Sequence, residues 1–519
     1  MKLKCDKAYC LLIFLACVIM FFSEAYLMIH KDISLDEVFS YGLANHQFVD
    51  TIEMQPKDGV IYEKGTEPYA EYMTVQENGE FDYENVWKNQ TADVHPPLYY
   101  VLLHSICSCF PQRMSRWFAG SINLLFLVLT LIVATKLVEL LTENKMVAII
   151  FAYFFATSSG VLHAGAFFRM YIMAMFWGIL YTYILIKNID KRDAKFYITM
   201  FLCSVLGALT HYYVIVYLVL ISFVFGVVLL VRKKYKDLLY FGVTMFFSAI
   251  VSVAVFPAMI NHFLVSDRGK QSLENVTNGL NDYYIRLKGY FNIVSVELFG
   301  KLFFIVLLVA VLGALLYMYN NKHNSNRCEV YVLLFLPSIL YFFIISKIAV
   351  YTTDRYLHPI YACILVFIYC SVYYLMCNLW KTEKNSNIGI LLFCIIINFI
   401  GIQTIYIPYM QTATARENEI QKYYVGKDCL YIYDPVEKWK MQANYPQITN
   451  CEKTMFIEDS EFDKFMNSEL INTEELILVI YSTLDTEFLR LSVQAVTPNL
   501  SKCETIEEGG YVSIYYLSK

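Results

Sequence analysis

Apolar stretches close to bilayer-crossing length recur eleven times along the chain, and nothing else in the sequence narrows its fold as much. They run Ala8–His30, Trp117–Leu140, Met146–Leu162, Met170–Ile186, Phe196–Leu209, His211–Val231, Leu238–Met259, Phe299–Tyr319, Val330–Ser346, Leu357–Leu379 and Ile388–Ile407. A helix rises about 1.5 Å per residue, so roughly 17–25 apolar residues cross the hydrocarbon core. With 57% hydrophobic and 17% charged residues, a purely soluble chain is excluded. The 38 Phe and 43 Tyr exclude a disordered one. The fold class expected is a polytopic α-helical membrane protein of about eleven spans with juxtamembrane helices.

Sidedness follows from the connectors. Lys187 with Lys191, Arg192 and Lys195, then Arg232 to Lys236, Lys322 with Arg327, and Lys381 with Lys384 form basic clusters that belong in the cytoplasm. The first stretch follows Lys2, Lys4 and Lys7 and is longer than a signal-peptide core, so it reads as a retained anchor with the N-terminus inside. The segment His95–Phe110 is apolar but short and opens on Pro96-Pro97, which suits a juxtamembrane helix at the interface. Counting it as a span would also put the basic connectors on the wrong side. An odd number of spans then sends everything after Pro408 outside.

Two domains are expected, 1–407 in the membrane and 408–519 as a small extracytoplasmic α/β domain. The tail carries eighteen acidic residues against ten basic ones and no further run long enough to span. Alternation predicts strands at Cys429–Tyr433, Leu476–Tyr481 and Tyr511–Leu517 and helices at Ser460–Asn467 and Thr486–Ala495, with a turn at Gly509-Gly510. Of 14 cysteines, seven sit in apolar runs as small hydrophobes, and none has zinc-site spacing. Cys429, Cys451 and Cys503 allow at most one bridge in the tail, whose pairing stays open. A net charge of -5 with short, scattered basic clusters excludes nucleic acid as a partner.

Polar residues gather at the expected outer face. Ser34-Leu35-Asp36-Glu37 follows the first span, where an arbitrary acidic pair is usually a solvated loop. Asp93-Val94-His95-Pro96-Pro97 puts a carboxylate and an imidazole before a helix start, a place that favours anions, although a capping Asp explains it as well. Arg169 with Tyr171, and Asp354-Arg355-Tyr356, lie at span ends, where arginines also snorkel to headgroups. His163 and His211 sit near span ends too and read first as packed polar residues.

Together these residues resemble the GT-C glycosyltransferases, polytopic enzymes that use lipid-phosphate sugars. Asp93-Val94-His95-Pro96-Pro97-Leu98 is similar to the protein O-mannosyltransferase motif, and Leu98-Tyr99-Tyr100 to the aminoarabinose transferases and their bacterial relatives. The chain has His95 where the aminoarabinose transferases place a lysine. The resemblance covers the membrane part to about Ile407. It implies an inverting transfer of a sugar from a polyprenyl-phosphate donor to an acceptor hydroxyl on a glycan, lipid or protein, with membrane lipid as the surrounding partner. It also assigns the general base to Asp36, the first of the acidic pair, with Glu37 shaping the site.

The residues expected to hold substrate are Asp93, His95, Arg169, Tyr171, Arg355 and Tyr356. Arg169 and Arg355 supply positive charge for the departing phosphate. A divalent metal has room if Asp36, Glu37, Asp93 and His95 converge as hard ligands, and arginines at the phosphate would make it unnecessary. The competing reading is a transporter or flippase of a lipid-linked sugar, which would keep its charges at mid-membrane; here they gather at one face. A structural anchor for the tail would need only one span. Asn89, Asn275 and Asn499 each begin an outward sequon.

Overall fold

Helix after helix, broken only by short turns, makes up most of the computed structural model, which describes residues 7–322, 325–380, 382–401 and 407–519. Lys2, Lys4, Lys381 and the end of the stretch Ile388–Ile407 lie outside the described residues. Among the described residues, eight helical elements are long and apolar enough to cross a membrane. They include Lys7–His30, Arg116–Thr142, Tyr212–Val231, Tyr235–Val255 and His358–Leu379. The protein is an integral membrane protein.

The remaining expected spans take other forms. Tyr171–Lys187 and Ala194–Ala208 are apolar helices of 17 and 15 residues. The stretch Met146–Leu162 is a pair, Lys145–Ala156 and Ser159–Ala166, bent by 52°. A bend frees backbone carbonyls that hydrocarbon cannot solvate. Asn398 answers this, its amide donating to the Phe154 carbonyl at 3.1 Å and to Thr157 Oγ1. Leu98–Ser108 has only 11 residues, about 16 Å of helix, too short to cross.

The described chain groups into two compact units. One joins the N-terminal helix, Val94–Tyr99 and the long stretch from Ala119 to Tyr409; the other joins His30–Asp93, Tyr100–Phe118 and Met410–Lys519. In the first, close helix packing is bought by glycine. A Cβ on Gly313 would lie 2.0 Å from the Ser371 carbonyl oxygen, so Phe303–Asn320 meets His358–Leu379 backbone to backbone. A Cβ on Gly178 would come within 2.9 Å of the Pro359 carbonyl, which draws Tyr171–Lys187 onto the start of that same helix.

The second unit holds a six-stranded sheet of β1 (Ile61–Glu63), β2 (Asp428–Tyr433), β3 (Lys453–Glu458), β4 (Glu475–Tyr481), β5 (Lys502–Glu507) and β6 (Val512–Ser518). Their order is β1-β3-β2-β4-β6-β5. β2 pairs in parallel with β3 and β4, and the outer pairings are antiparallel. The central strands are buried on both faces, with Leu430, Ile432, Leu478, Ile480 and Leu517 in the core. The expected strands at 429–433, 476–481 and 511–517 are present, and Gly509 and Gly510 turn with φ of 95° and 68°, a backbone open to glycine. β3, β5 and β1 are additions, and β1 comes from the loop after the first span.

Candidate functional site

In the first unit, two groups of polar side chains share an aromatic partner. Gly160 starts the arrangement: a Cβ there would meet the Glu297 carbonyl oxygen at 2.9 Å, so the turn Ser295–Phe299 lies directly on the helix Ser159–Ala166. Ser159 Oγ donates to that same carbonyl at 2.9 Å. The short turn Asp354–Tyr356 is fixed from the other side, where Tyr341 donates its hydroxyl to the Tyr356 carbonyl at 2.7 Å.

These turns bring four chemically active side chains to one place. His163 Nε2 is 3.1 Å from Asp354 Oδ2 and 4.0 Å from Glu297 Oε1. His358 Nε2 is 3.7 Å from Glu297 Oε2 and 3.9 Å from Asp354 Oδ2. Tyr361 donates its hydroxyl to Glu297 Oε2, and Thr353 donates to Asp354 Oδ1 at 2.8 Å. Burial alone would raise the Asp354 carboxyl, but the His163 hydrogen bond and the adjacent His358 hold it well below the usual carboxylate range.

Tyr171 links this group to the second. Its ring lies 5.9 Å from that of His358 and 5.1 Å from that of His211. His211 is 6.1 Å, ring to ring, from His95, and Arg169 Nη2 is 3.5 Å from His95 Nε2. His211 stands just before the helix Tyr212–Val231, and its Nδ1 accepts from the Tyr213 amide at 3.1 Å. A cavity of about 330 Å³ opens beside this group, lined in part by His95, His211, Tyr213, His262, Arg268 and Tyr356.

Of the residues named from sequence, the structure thus gathers His95, Arg169 and Tyr171, and puts Tyr356 in the wall of the same cavity as His95. Arg355 lies with its guanidinium over the Tyr356 ring, 5.7 Å from the centroid. Asp36, Glu37 and Asp93 belong to the second unit. Glu37 is buried, forms an ion pair with Lys31, and accepts from the Ser34 amide at 2.8 Å and Ser34 Oγ at 3.1 Å. That is the reciprocal cap of the helix Leu35–Asn45, and it explains why this carboxylate is where it is. Asp36 sits one residue earlier in the first turn and is half-buried.

Asp93 closes the helix Tyr83–Ala92, its amide donating to the Asn89 carbonyl at 2.9 Å, so it ends the preceding helix; the next one starts at Leu98. Asn89 and Asn275, expected as outward sequon positions, are buried amides that donate to the carbonyls of His46 and Ala349.

Sequence reasoning missed Glu297, His358 and Tyr361 and read His163 as a packing residue. One signal was available: Asp354 and His358 are four apart, which places them on one side of a helical turn. Glu297 had none, because its neighbours Val296 and Leu298 read as the edge of an apolar run. Among the described residues, the groups able to hold a metal reduce to His163, Glu297 and Asp354, whose ligand atoms all lie within 4.8 Å of one another. Asp36, Glu37 and Asp93 form no such group.

No protein family is matched by the sequence, and no curated protein is similar to it by sequence. Solved structures are similar in fold. ArnT from Cupriavidus metallidurans bound to undecaprenyl phosphate aligns with a TM-score of 0.54 at 10% identity, over 99% of this chain and 98% of that one. The apo state of the same protein aligns with a TM-score of 0.46 at 11% identity, over 92% and 96%. The chain shares the fold of ArnT from Cupriavidus metallidurans along essentially its whole length.

Proposed function

We propose that the protein is an inverting membrane glycosyltransferase that moves a sugar from a polyprenyl-phosphate donor to an acceptor hydroxyl on the outer side of the membrane. The observation that carries this reading is the convergence of His95, Arg169, Tyr171 and His211 beside a cavity, in a chain that shares its fold with a protein bound to undecaprenyl phosphate. In this reading the donor phosphate lies by that cavity, with Arg169 and Arg355 offsetting its charge and His95 and Tyr356 beside it. The basic connectors support a cytoplasmic N-terminus and an extracytoplasmic tail.

In the reaction, the acceptor oxygen attacks the anomeric carbon as the bond from that carbon to the phosphate oxygen breaks. The acceptor proton passes to the Asp36 carboxylate, and the polyprenyl phosphate departs as a stable anion that needs positive charge more than a proton. Asp36 suits the role of base better than Glu37, whose oxygens are taken up by Lys31 and Ser34. Attack opposite the leaving group inverts the configuration.

The test is transfer from a labelled polyprenyl-phosphate sugar by the purified chain in liposomes. A covalent product is expected, and Asp36→Asn should lower its rate by about 10²–10⁴-fold while leaving donor binding intact. Movement of the labelled lipid across the bilayer without product would replace the transferase by a flippase.

A further inference from the structure

We infer that His163, Glu297 and Asp354, with His358 beside them, form a binding site for a divalent transition-metal ion of the zinc or manganese class. One imidazole nitrogen and two carboxylate oxygens, from the helix Ser159–Ala166 and two turns, lie within 4.8 Å of one another. His163 Nε2 is 3.1 Å from Asp354 Oδ2 and 4.0 Å from Glu297 Oε1, and His358 Nε2 faces the same two carboxylates at 3.9 and 3.7 Å. Ligands about 2.0–2.1 Å from a tetrahedral ion sit about 3.3 Å from one another. Shifts of up to about 1.5 Å, within reach of side-chain rotation, would close the three on an ion. Mixed nitrogen and oxygen donors favour zinc, manganese or iron over magnesium and calcium, which take oxygen.

A second observation points to a ligand independently of the cluster. His358 is 1% exposed, and neither of its ring nitrogens makes a hydrogen bond. Leaving an imidazole dry and unbonded costs free energy, unless its Nε2 has a partner in the space it faces. That space lies between Glu297 and Asp354. The carboxylates are themselves oriented, Glu297 by the Tyr361 hydroxyl and Asp354 by the Thr353 hydroxyl, as metal-binding carboxylates are in functioning sites. His163 and Asp354 are about one-third exposed, so an ion has a way in, while Glu297 and His358 form the buried floor.

The inference does not depend on the transferase reading, because metal content is measured without substrate. The full chain, purified in detergent, is stripped with a chelator, loaded with Zn²⁺ or Mn²⁺, desalted and analysed for bound metal. Wild type should retain about one equivalent per chain, and a His163→Ala, His358→Ala double variant should lose at least tenfold in affinity. Co²⁺ supplies a second readout that does not rely on the variant folding: wild type should develop the visible bands of a four-coordinate nitrogen and oxygen site, and should unfold at a higher temperature when loaded. Wild type that retains no metal and shows no Co²⁺ bands would overturn the site. So would a folded double variant that retains metal as tightly as wild type, since the ion would then sit elsewhere. In either case the cluster is a set of imidazole and carboxylate contacts that ties the turns together.

Discussion

Glu37→Gln separates holding the fold from doing chemistry. Lys31 and Glu37 are 5% and 1% exposed, and they form an ion pair at the start of the helix Leu35–Asn45. Removing the carboxylate breaks a buried ion pair and leaves the Lys31 ammonium with the Asp32 carbonyl at 3.2 Å among its acceptors, which costs about 3–5 kcal/mol, far more than the lost cap of about 1 kcal/mol. In a domain of this size each kcal/mol moves the unfolding temperature by about 2–4 °C, so a fall of about 6–20 °C is expected.

The assay is thermal unfolding of the purified variants in one detergent, followed by tryptophan fluorescence and size exclusion. Lys31→Met combined with Glu37→Gln removes both charges and should recover most of the loss, because the penalty comes from breaking the buried pair. A Glu37→Gln protein that unfolds at the wild-type temperature, or a double variant no better than the single one, would refute the argument that this pair holds the turn.

Other outcomes follow from the same geometry. Arg169→Gln should weaken polyprenyl-phosphate binding by about ten- to hundredfold, the loss of one charge-assisted contact, with Arg169→Lys intermediate; unchanged affinity would assign the guanidinium to packing. Gly313→Ala gains about 1 kcal/mol in helix propensity but drives a methyl group into the Ser371 carbonyl, so it should lower the unfolding temperature; a rise would mean that the two helices can part cheaply. A cysteine at Ser482, in a background lacking the other outer cysteines, should react with an impermeant thiol reagent in intact cells. Labelling only after lysis would put the tail inside.

How much of this was legible depended on whether a segment carries its own signal. Long apolar runs announce membrane helices because no other structure buries so many such residues. Strands β2 and β4 announced themselves as short β-branched and aromatic runs. β5 did not: Lys502–Glu507 is an edge strand with most residues exposed, so no apolar face marks it. β1 has three residues and exists because β3 offers it an edge, a fact about β3 and not about Ile61–Glu63. The bend between Ala156 and Ser159 is likewise set elsewhere, by Asn398 standing ready to satisfy the carbonyl it frees.

The candidate site divides in the same way. His95, Arg169 and Tyr171 were readable because charged and polar groups at the ends of apolar runs stand out, whatever they do. Glu297 and His358 were not, because their meaning lies in Gly160 letting one turn rest on another helix, and a glycine in an apolar run looks like any other. Ser34-Leu35-Asp36-Glu37 is the instructive case. The acidic pair drew attention as chemistry, yet a serine followed three residues later by glutamate is also the signature of a helix start. The spacing to Ser34 commits Glu37 to the backbone, and the proposed reaction gives the chemistry to Asp36, one residue off that register.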